Sequence, residues 1–259
     1  MTTSRFARID QALTERKILT LDIERLPGLA RIWDQKTTWV PVSTWTRLPS
    51  LLSVSAKWYG QRSVMFRAAW DDPEAMIRDV WGWLDEADIL YTFNGDRFDI
   101  PHLRGAFLTA GLTPPSSYKS VDLFKVARKF GFESKSLVHL CERLGLPGKT
   151  GHYNPVLAEA AMAGDTKAQK TRRAYNNGDV KITEMCADAM RGWITGHPHV
   201  NTEAGDKLTC PNCGTDQLER NGAYIAVVQE SAEYRCQNCG APIAATHIRR
   251  VARTRGVRS

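Results

Sequence analysis

The 259-residue sequence contains no apolar run near the roughly 18 residues that a membrane-spanning helix requires, so no membrane partner is expected. Its first eight residues, Met1 to Arg8, lack the apolar core of a signal peptide. Six cysteines are too few for a disulfide scaffold in a chain of this length. No internal repeat is present. At 42% hydrophobic and 9% aromatic residues, the composition fits neither collagen, coiled coil nor disorder. Positive charge is in excess: the net charge is +7, and Arg249, Arg250, Arg253, Arg255 and Arg258 crowd the last twelve residues. The length suits one full-sized domain plus a small module. Four of the six cysteines form two CxxC pairs, which points to a metal and to a reduced, cytoplasmic compartment.

Periodicity predicts an α/β domain from about residue 15 to residue 200. A first strand is expected from Lys17 to Ile23, then β-like stretches at Thr37–Val42, Leu52–Trp58 and Ser63–Arg67. Asp72-Pro73-Glu74 reads as the start of a helix, with Met76, Ile77, Val80, Trp81 and Leu84 on its apolar face. Ile89–Phe93 reads as a strand ended by Asn94-Gly95-Asp96. A helix opens after Asp99, another strand is expected at Ser120–Leu123, and Ser136 and Gly145 bracket a further helix. Residues 146–164 are rich in glycine and read as an irregular loop near a site. A long helix is expected over 166–194, followed by a linker at 201–206.

Two places in this scheme carry acids where a fold must account for them. In Ile18-Leu-Thr-Leu-Asp22-Ile-Glu24, alternation puts Asp22 and Glu24 on one strand face, about 6.6 Å apart, opposite Leu19, Leu21 and Ile23. Acids emerging into solvent at the strand's end are the plainer alternative. In the long helix, Tyr175, Asp179, Ile182, Cys186, Ala189 and Trp193 form one stripe, so Asp179 turns inward among apolar neighbours. A buried carboxylate needs a partner. A metal serves, and so does a basic neighbour such as Lys181 or Arg172. Asp99 precedes Ile100-Pro101 and reads first as a helix cap, a role compatible with ligation through its other oxygen.

Taken in order, Asp22-x-Glu24, Asn94-Gly-Asp-Arg-Phe98-Asp99 and Tyr175-x-x-x-Asp179 resemble the three motifs of the DnaQ-like (DEDD, Tyr-type) 3′–5′ exonucleases. Leu90 to Leu103 is particularly similar to the second motif of the proofreading domains of B-family DNA polymerases. Val121-Asp122-Leu123 and Lys135 through Leu146 fall where those domains have comparable text, and the likeness spans about residues 17 to 195. It implies an RNase H-like mixed sheet flanked by helices over residues 1–200, with Asp22, Glu24, Asp99 and Asp179 holding two Mg²⁺ or Mn²⁺ ions. Tyr175 would orient the attacking water, and Asn94 and Phe98 would shape the pocket for the terminal nucleotide. Asp96 is an extra acid within the motif and is expected to be a loop residue.

The implied activity is hydrolysis of single-stranded or frayed DNA 3′ ends, with replication or recombination proteins as possible associates, in a bacterial or phage-infected cell. No polymerase domain accompanies the motifs, so proofreading in cis is not expected. An exoribonuclease or structure-selective endonuclease would use the same four acids. A non-catalytic nucleic-acid-binding protein would be expected to lack at least one of them.

Cys210-Pro-Asn-Cys213-Gly and Cys236-Gln-Asn-Cys239-Gly, separated by 22 residues, form the pattern of a zinc ribbon with one structural Zn²⁺. Gly214 and Gly240 supply the positive φ that each knuckle needs. This module is expected over 201–247, with hairpin strands at Ala223–Val228 and Glu233–Arg235. An Arg-rich tail is expected over 248–259, where it pairs with phosphates or serves solubility alone.

Overall fold

A computed structural model describes residues 6, 8, 9, 14 and 16–250, apart from positions 38, 149, 150, 152, 203, 206, 227 and 228. The side chains of 229 and 246–250 are also outside the description. The chain divides into two units, Lys17–Cys186 on one hand and Ala187–Ser259 with Met1–Arg16 on the other.

The larger unit is organised by the alternation in its first strand, β1 (Ile18–Leu26). Strands β4 (Ser50–Trp58) and β5 (Met65–Ala68) extend the sheet on one side of β1 by antiparallel pairing. On the other side, β6 (Ile89–Thr92) and β7 (Lys119–Asp122) pair in parallel, giving the order β5-β4-β1-β6-β7. The mixed sheet expected from the motifs is therefore present. Leu19, Leu21 and Ile23 point to one face with Val54 and Ala56. They pack there against Met76, Val80 and Leu84 of α1 (Pro73–Glu86) and Ile100, Leu103 and Phe107 of α2 (Asp99–Thr109). Asp72 caps α1 by accepting the Ala75 amide at 2.9 Å, with Pro73 in the first turn.

The opposite face is polar, although it too is buried. Helix α6 (Thr166–Met190) covers it. Ser53 Oγ donates to Asn176 Oδ1 at 3.0 Å, Ser55 Oγ to Asn177 Oδ1 at 2.8 Å, and Lys57 Nζ to Glu184 Oε2 at 2.6 Å. Because strand residues two apart share a face, these three rungs stitch β4 to α6 along their length. The last rung is a buried ion pair, both side chains 8% exposed. Breaking it with Lys57→Met alone is expected to cost about 3–5 kcal/mol, since Glu184 keeps its buried charge while losing the Lys57 ammonium. The double change Lys57→Met/Glu184→Leu should recover most of that loss. Urea unfolding of the single and double variants checks this, and equal stabilities would refute it.

Short elements complete the unit. A tight ribbon of β2 (Leu29–Ala30) and β3 (Trp45–Arg47) follows β1, and α3 (Leu123–Ala127) follows β7 directly. Helix α4 (Leu137–Leu144) is capped by Ser136 and closed by left-handed Gly145 (φ 64°), as its sequence predicts. Three expectations need correction. No strand forms at the described positions of 37–42, where Trp39 and Val42 are exposed and only a 3₁₀ turn at Val42–Thr44 appears. Strand-prone residues hold a strand only where a neighbour covers them. The supposed loop 146–164 instead contains α5 (Pro155–Met162), started by Asn154, whose Oδ1 accepts the Val156 amide at 2.9 Å. The inward stripe of α6 also stops short: Trp193, in the 3₁₀ turn after it, is 65% exposed. No described helix is long and apolar enough to cross a membrane.

The smaller unit carries a three-stranded sheet, β8 (Leu218–Ile225), β9 (Gln229–Cys236) and β10 (Pro242–Arg250), in the order β10-β9-β8. Strand β10 runs to Arg250, into the stretch read as a tail, while residues 251–259 lie outside the described ones.

Candidate active site

The four expected carboxylates come from three elements: β1 gives Asp22 and Glu24, the first turn of α2 gives Asp99, and the middle of α6 gives Asp179. One oxygen from each of Asp22, Glu24 and Asp179 lies within 4.8 Å of the others, and Glu24 and Asp179 are buried. Asp99 is not part of this group of three and is fixed to β1 by a different attachment. Its Oδ1 accepts the backbone N–H of Ile23, the residue between Asp22 and Glu24, at 2.9 Å. The helix-cap role predicted for Asp99 is not observed: Phe98 occupies the cap position and no side chain caps the helix. A dedicated tie to β1 has replaced it.

Burial pushes the Asp99 carboxyl up to about 7, with the Ile23 amide opposing the rise and the nearby Asp122 carboxylate adding to it. A carboxyl made reluctant to ionise in this way is relieved by a cation alongside. The donors are all hard oxygens, a set that fits Mg²⁺ or Mn²⁺.

Tyr175 lies one turn before Asp179 on α6 and is buried. Asn94 sits in the β6–α2 turn with a left-handed backbone (φ 69°). Its N–H and that of Phe124 both donate to Asp122 Oδ1, at 2.8 and 3.0 Å, so one buried acid pins the turn to the start of α3. Gly95 lies so close to β6 that a Cβ there would meet Thr92 at 2.4 Å, which leaves room only for glycine. Phe98 is 39% exposed and meets the His102 ring edge-on at 4.9 Å, leaving apolar surface available to a ligand. Asp96 is tied to Lys125 and to Ser120 Oγ (2.6 Å), the loop role expected of it.

One residue that matters here was not singled out by its sequence, and one was weighed there in another role. Asn176, fully buried, donates through Nδ2 to Asp22 Oδ2 at 2.6 Å while its Oδ1 holds Ser53. Its place three residues before Asp179 was the available signal, since i and i+3 share a helix face. Arg172 was weighed as a partner of Asp179, yet its Nη2 lies 2.9 Å from Glu24 Oε2.

Residues 52–190, just over half of the chain, match the RNase_H superfamily. The chain belongs to the RNase_H superfamily. The matched segment takes in Asp99, Tyr175 and Asp179, and the sheet brings Asp22 and Glu24 to it from outside that range. Among solved structures, this RNase_H fold is similar to the family B DNA polymerase from the hyperthermophilic archaeon Pyrobaculum calidifontis. The two share 18% identity with a TM-score of 0.51 over 68% of this chain. That likeness covers 24% of the polymerase chain. The sequence matches no curated protein.

The smaller unit has its own centre. The sulfurs of Cys210, Cys213, Cys236 and Cys239 all lie within 4.8 Å of one another, with Cys210–Cys239 and Cys213–Cys236 each at 3.6 Å. Disulfide sulfurs would be about 2.05 Å apart. Four sulfurs around a tetrahedral zinc at about 2.3 Å lie about 3.8 Å from each other, so the four cysteines fit a zinc ribbon. Gly214 and Gly240 have φ of 84° and 74°, as the knuckles require, and the Cys239 amide approaches Cys236 Sγ at 3.4 Å. Behind the first knuckle, Asn212 Nδ2 donates to the carbonyls of Arg191 and Ile194 at 2.8 and 3.0 Å. Arg191, fully buried, in turn donates to the Asn212 carbonyl at 3.2 Å and pairs with Asp188.

Proposed function

We propose that the protein is a divalent-metal-dependent 3′–5′ exonuclease acting on single-stranded or frayed DNA ends. The observation that carries this reading is the meeting of Asp22, Glu24 and Asp179 within 4.8 Å, with Asp99 bonded to the strand between the first two. Membership of the RNase_H superfamily supports nuclease chemistry, and the fold shared with a DNA polymerase favours DNA as the polymer.

Asp22, Glu24, Asp99 and Asp179 would hold two Mg²⁺ or Mn²⁺ ions. When bound, those ions supply charge stabilisation at the phosphate and the departing oxygen, and a lowered pKa for the attacking water. The protein's part is positioning. Asn176 fixes the Asp22 carboxylate, the Ile23 amide fixes Asp99, and Tyr175 orients the attacking water by a hydrogen bond. Asn94 and Phe98 receive the terminal nucleotide, the exposed Phe98 ring offering a stacking surface. One zinc, held by Cys210, Cys213, Cys236 and Cys239, organises the smaller unit.

Incubation with 5′-labelled single-stranded DNA or RNA, in Mg²⁺ or chelator, tests the reading. A ladder shortening stepwise from the 3′ end, on DNA and only with metal, is the expected result. An RNA-only ladder would reassign the substrate, and internal cuts would reassign the mode. No cleavage of either polymer would overturn the proposal.

A further inference from the structure

Arg172 is a cation beside the acidic cluster that the mechanism above does not use. It lies on α6, three residues before Tyr175 and seven before Asp179, and is 2% exposed. Its guanidinium is sandwiched between two rings, 4.7 Å from the centroid of Tyr153 and 4.8 Å from that of Tyr175. Tyr153 is itself anchored, its hydroxyl donating to the Arg25 carbonyl of β1 at 2.7 Å. From this slot Arg172 Nη2 lies 2.9 Å from Glu24 Oε2 as an ion pair, while neither Nη2 nor Nε makes a hydrogen bond among the described residues.

A guanidinium so enclosed does not reach a substrate phosphate without leaving both rings. It acts, therefore, through Glu24. We propose that Arg172 is a positioning residue that shares Glu24 with the divalent ions and so sets how tightly the carboxylate cluster binds them. The proposal rests on the metal-dependent reading above.

The physical case has two parts. Three carboxylates drawn within 4.8 Å repel one another, and a fixed positive charge against one of them makes the metal-free cluster tolerable. The same charge opposes every divalent ion that enters, because it is close to the ligands and shielded from water by the rings. The close approach of that charge to Oε2 also favours turning the other Glu24 oxygen to the cluster. Lysine in this position would keep the charge but lose the planar fork and most of the stacking. Charge and aim are thereby separable by substitution.

The test uses the full chain with its cysteine site filled with zinc. Mn²⁺ binding is measured by calorimetry without nucleic acid, alongside turnover of single-stranded DNA at saturating Mn²⁺. Arg172→Met is expected to bind Mn²⁺ about tenfold more tightly. Its turnover should nevertheless fall about 10- to 100-fold as Glu24 loses its alignment. Arg172→Lys should bind Mn²⁺ with near wild-type affinity and keep more turnover than Arg172→Met. Should Arg172→Met fail to fold, Tyr153→Leu, which removes one half-exposed wall of the sandwich, should shift Mn²⁺ affinity in the same direction by a smaller factor.

Wild-type Mn²⁺ affinity in Arg172→Met, or in Tyr153→Leu if that is the variant that folds, overturns the proposal and leaves the nuclease reading standing. So does equal affinity in the methionine and lysine variants. Absence of Mn²⁺ binding by the wild-type protein removes the metal site itself, and both readings with it.

Discussion

Asp22→Asn and Asp179→Asn are each expected to lower turnover of single-stranded DNA by at least about 10²-fold, the scale of losing one charge-stabilising group at a reaction centre. Both acids belong to the trio gathered within 4.8 Å, so neither has a nearby substitute. The fold should survive. Asn176 Nδ2 donates to Asp22 Oδ2 at 2.6 Å, and an asparagine at 22 can still present a carbonyl oxygen to it. Removing one negative charge from a crowded trio also relieves repulsion, so melting temperatures measured in chelator should be no lower than that of the wild type. With Mg²⁺ added, the wild type should gain stability and the variants should gain less, because ligand binding to the folded state alone raises stability by mass action. Activity within tenfold of the wild type in either variant would remove the carboxylate trio from the mechanism. A large drop in melting temperature in chelator would show instead that the acids are structural.

The readability of this chain follows the range of the interactions involved. Features set by neighbours in sequence were legible. The alternation of β1 separates Leu19, Leu21 and Ile23 from Asp22 and Glu24, Asp72-Pro73 starts α1, and Ser136 and Gly145 bracket α4. Helix α5 was missed because glycines at 148, 151 and 164 dominate its surroundings, although Asn154-Pro155 is itself a start signal. The stretch 37–42 misled in the other direction, since its β-prone residues find no covering layer.

Long-range pairings outside the motifs were not legible. Ser53 meets Asn176 across 123 residues and Lys57 meets Glu184 across 127, and nothing in either local pattern announces the other. The same holds for Asp99, whose sequence reads as a cap because the amide it accepts belongs to β1, 76 residues earlier. Arg172 was visible as a charge near Asp179, but only the fold decides that it turns to Glu24.

Stripping the metal from the cysteine site, or replacing Cys213 or Cys236 by serine, is expected to unfold β8–β10 while leaving the larger unit folded. Among the described residues the sheet has little apolar packing to hold it. Strand β8 is exposed along nearly its whole length, and the buried cluster of this sheet consists of Cys210, Cys213, Cys236 and Ala241 with Leu218, Cys239 and Ile243 packed against it. So few side chains cannot offset the ordering entropy of about 1–2 kcal/mol per residue. Zinc binding in small cysteine modules supplies about 10–16 kcal/mol at neutral pH. The core of the larger unit, built on β1, β4, α1 and α2, contains none of these cysteines.

Elemental analysis should find one zinc per chain, and a strong chelator should release it together with four thiols reactive to a colorimetric reagent. Amide exchange should then accelerate sharply across 218–225 and 230–236 while β1 and β6 keep their protection. Because the unit also holds the buried Arg191–Asp188 pair and the Asn212 contacts, residues 187–194 should loosen along with the knuckles. Unchanged protection of β8 and β9 after complete metal removal would show that the sheet stands without an ion. The close sulfur spacing would then be a packing feature and not a binding site.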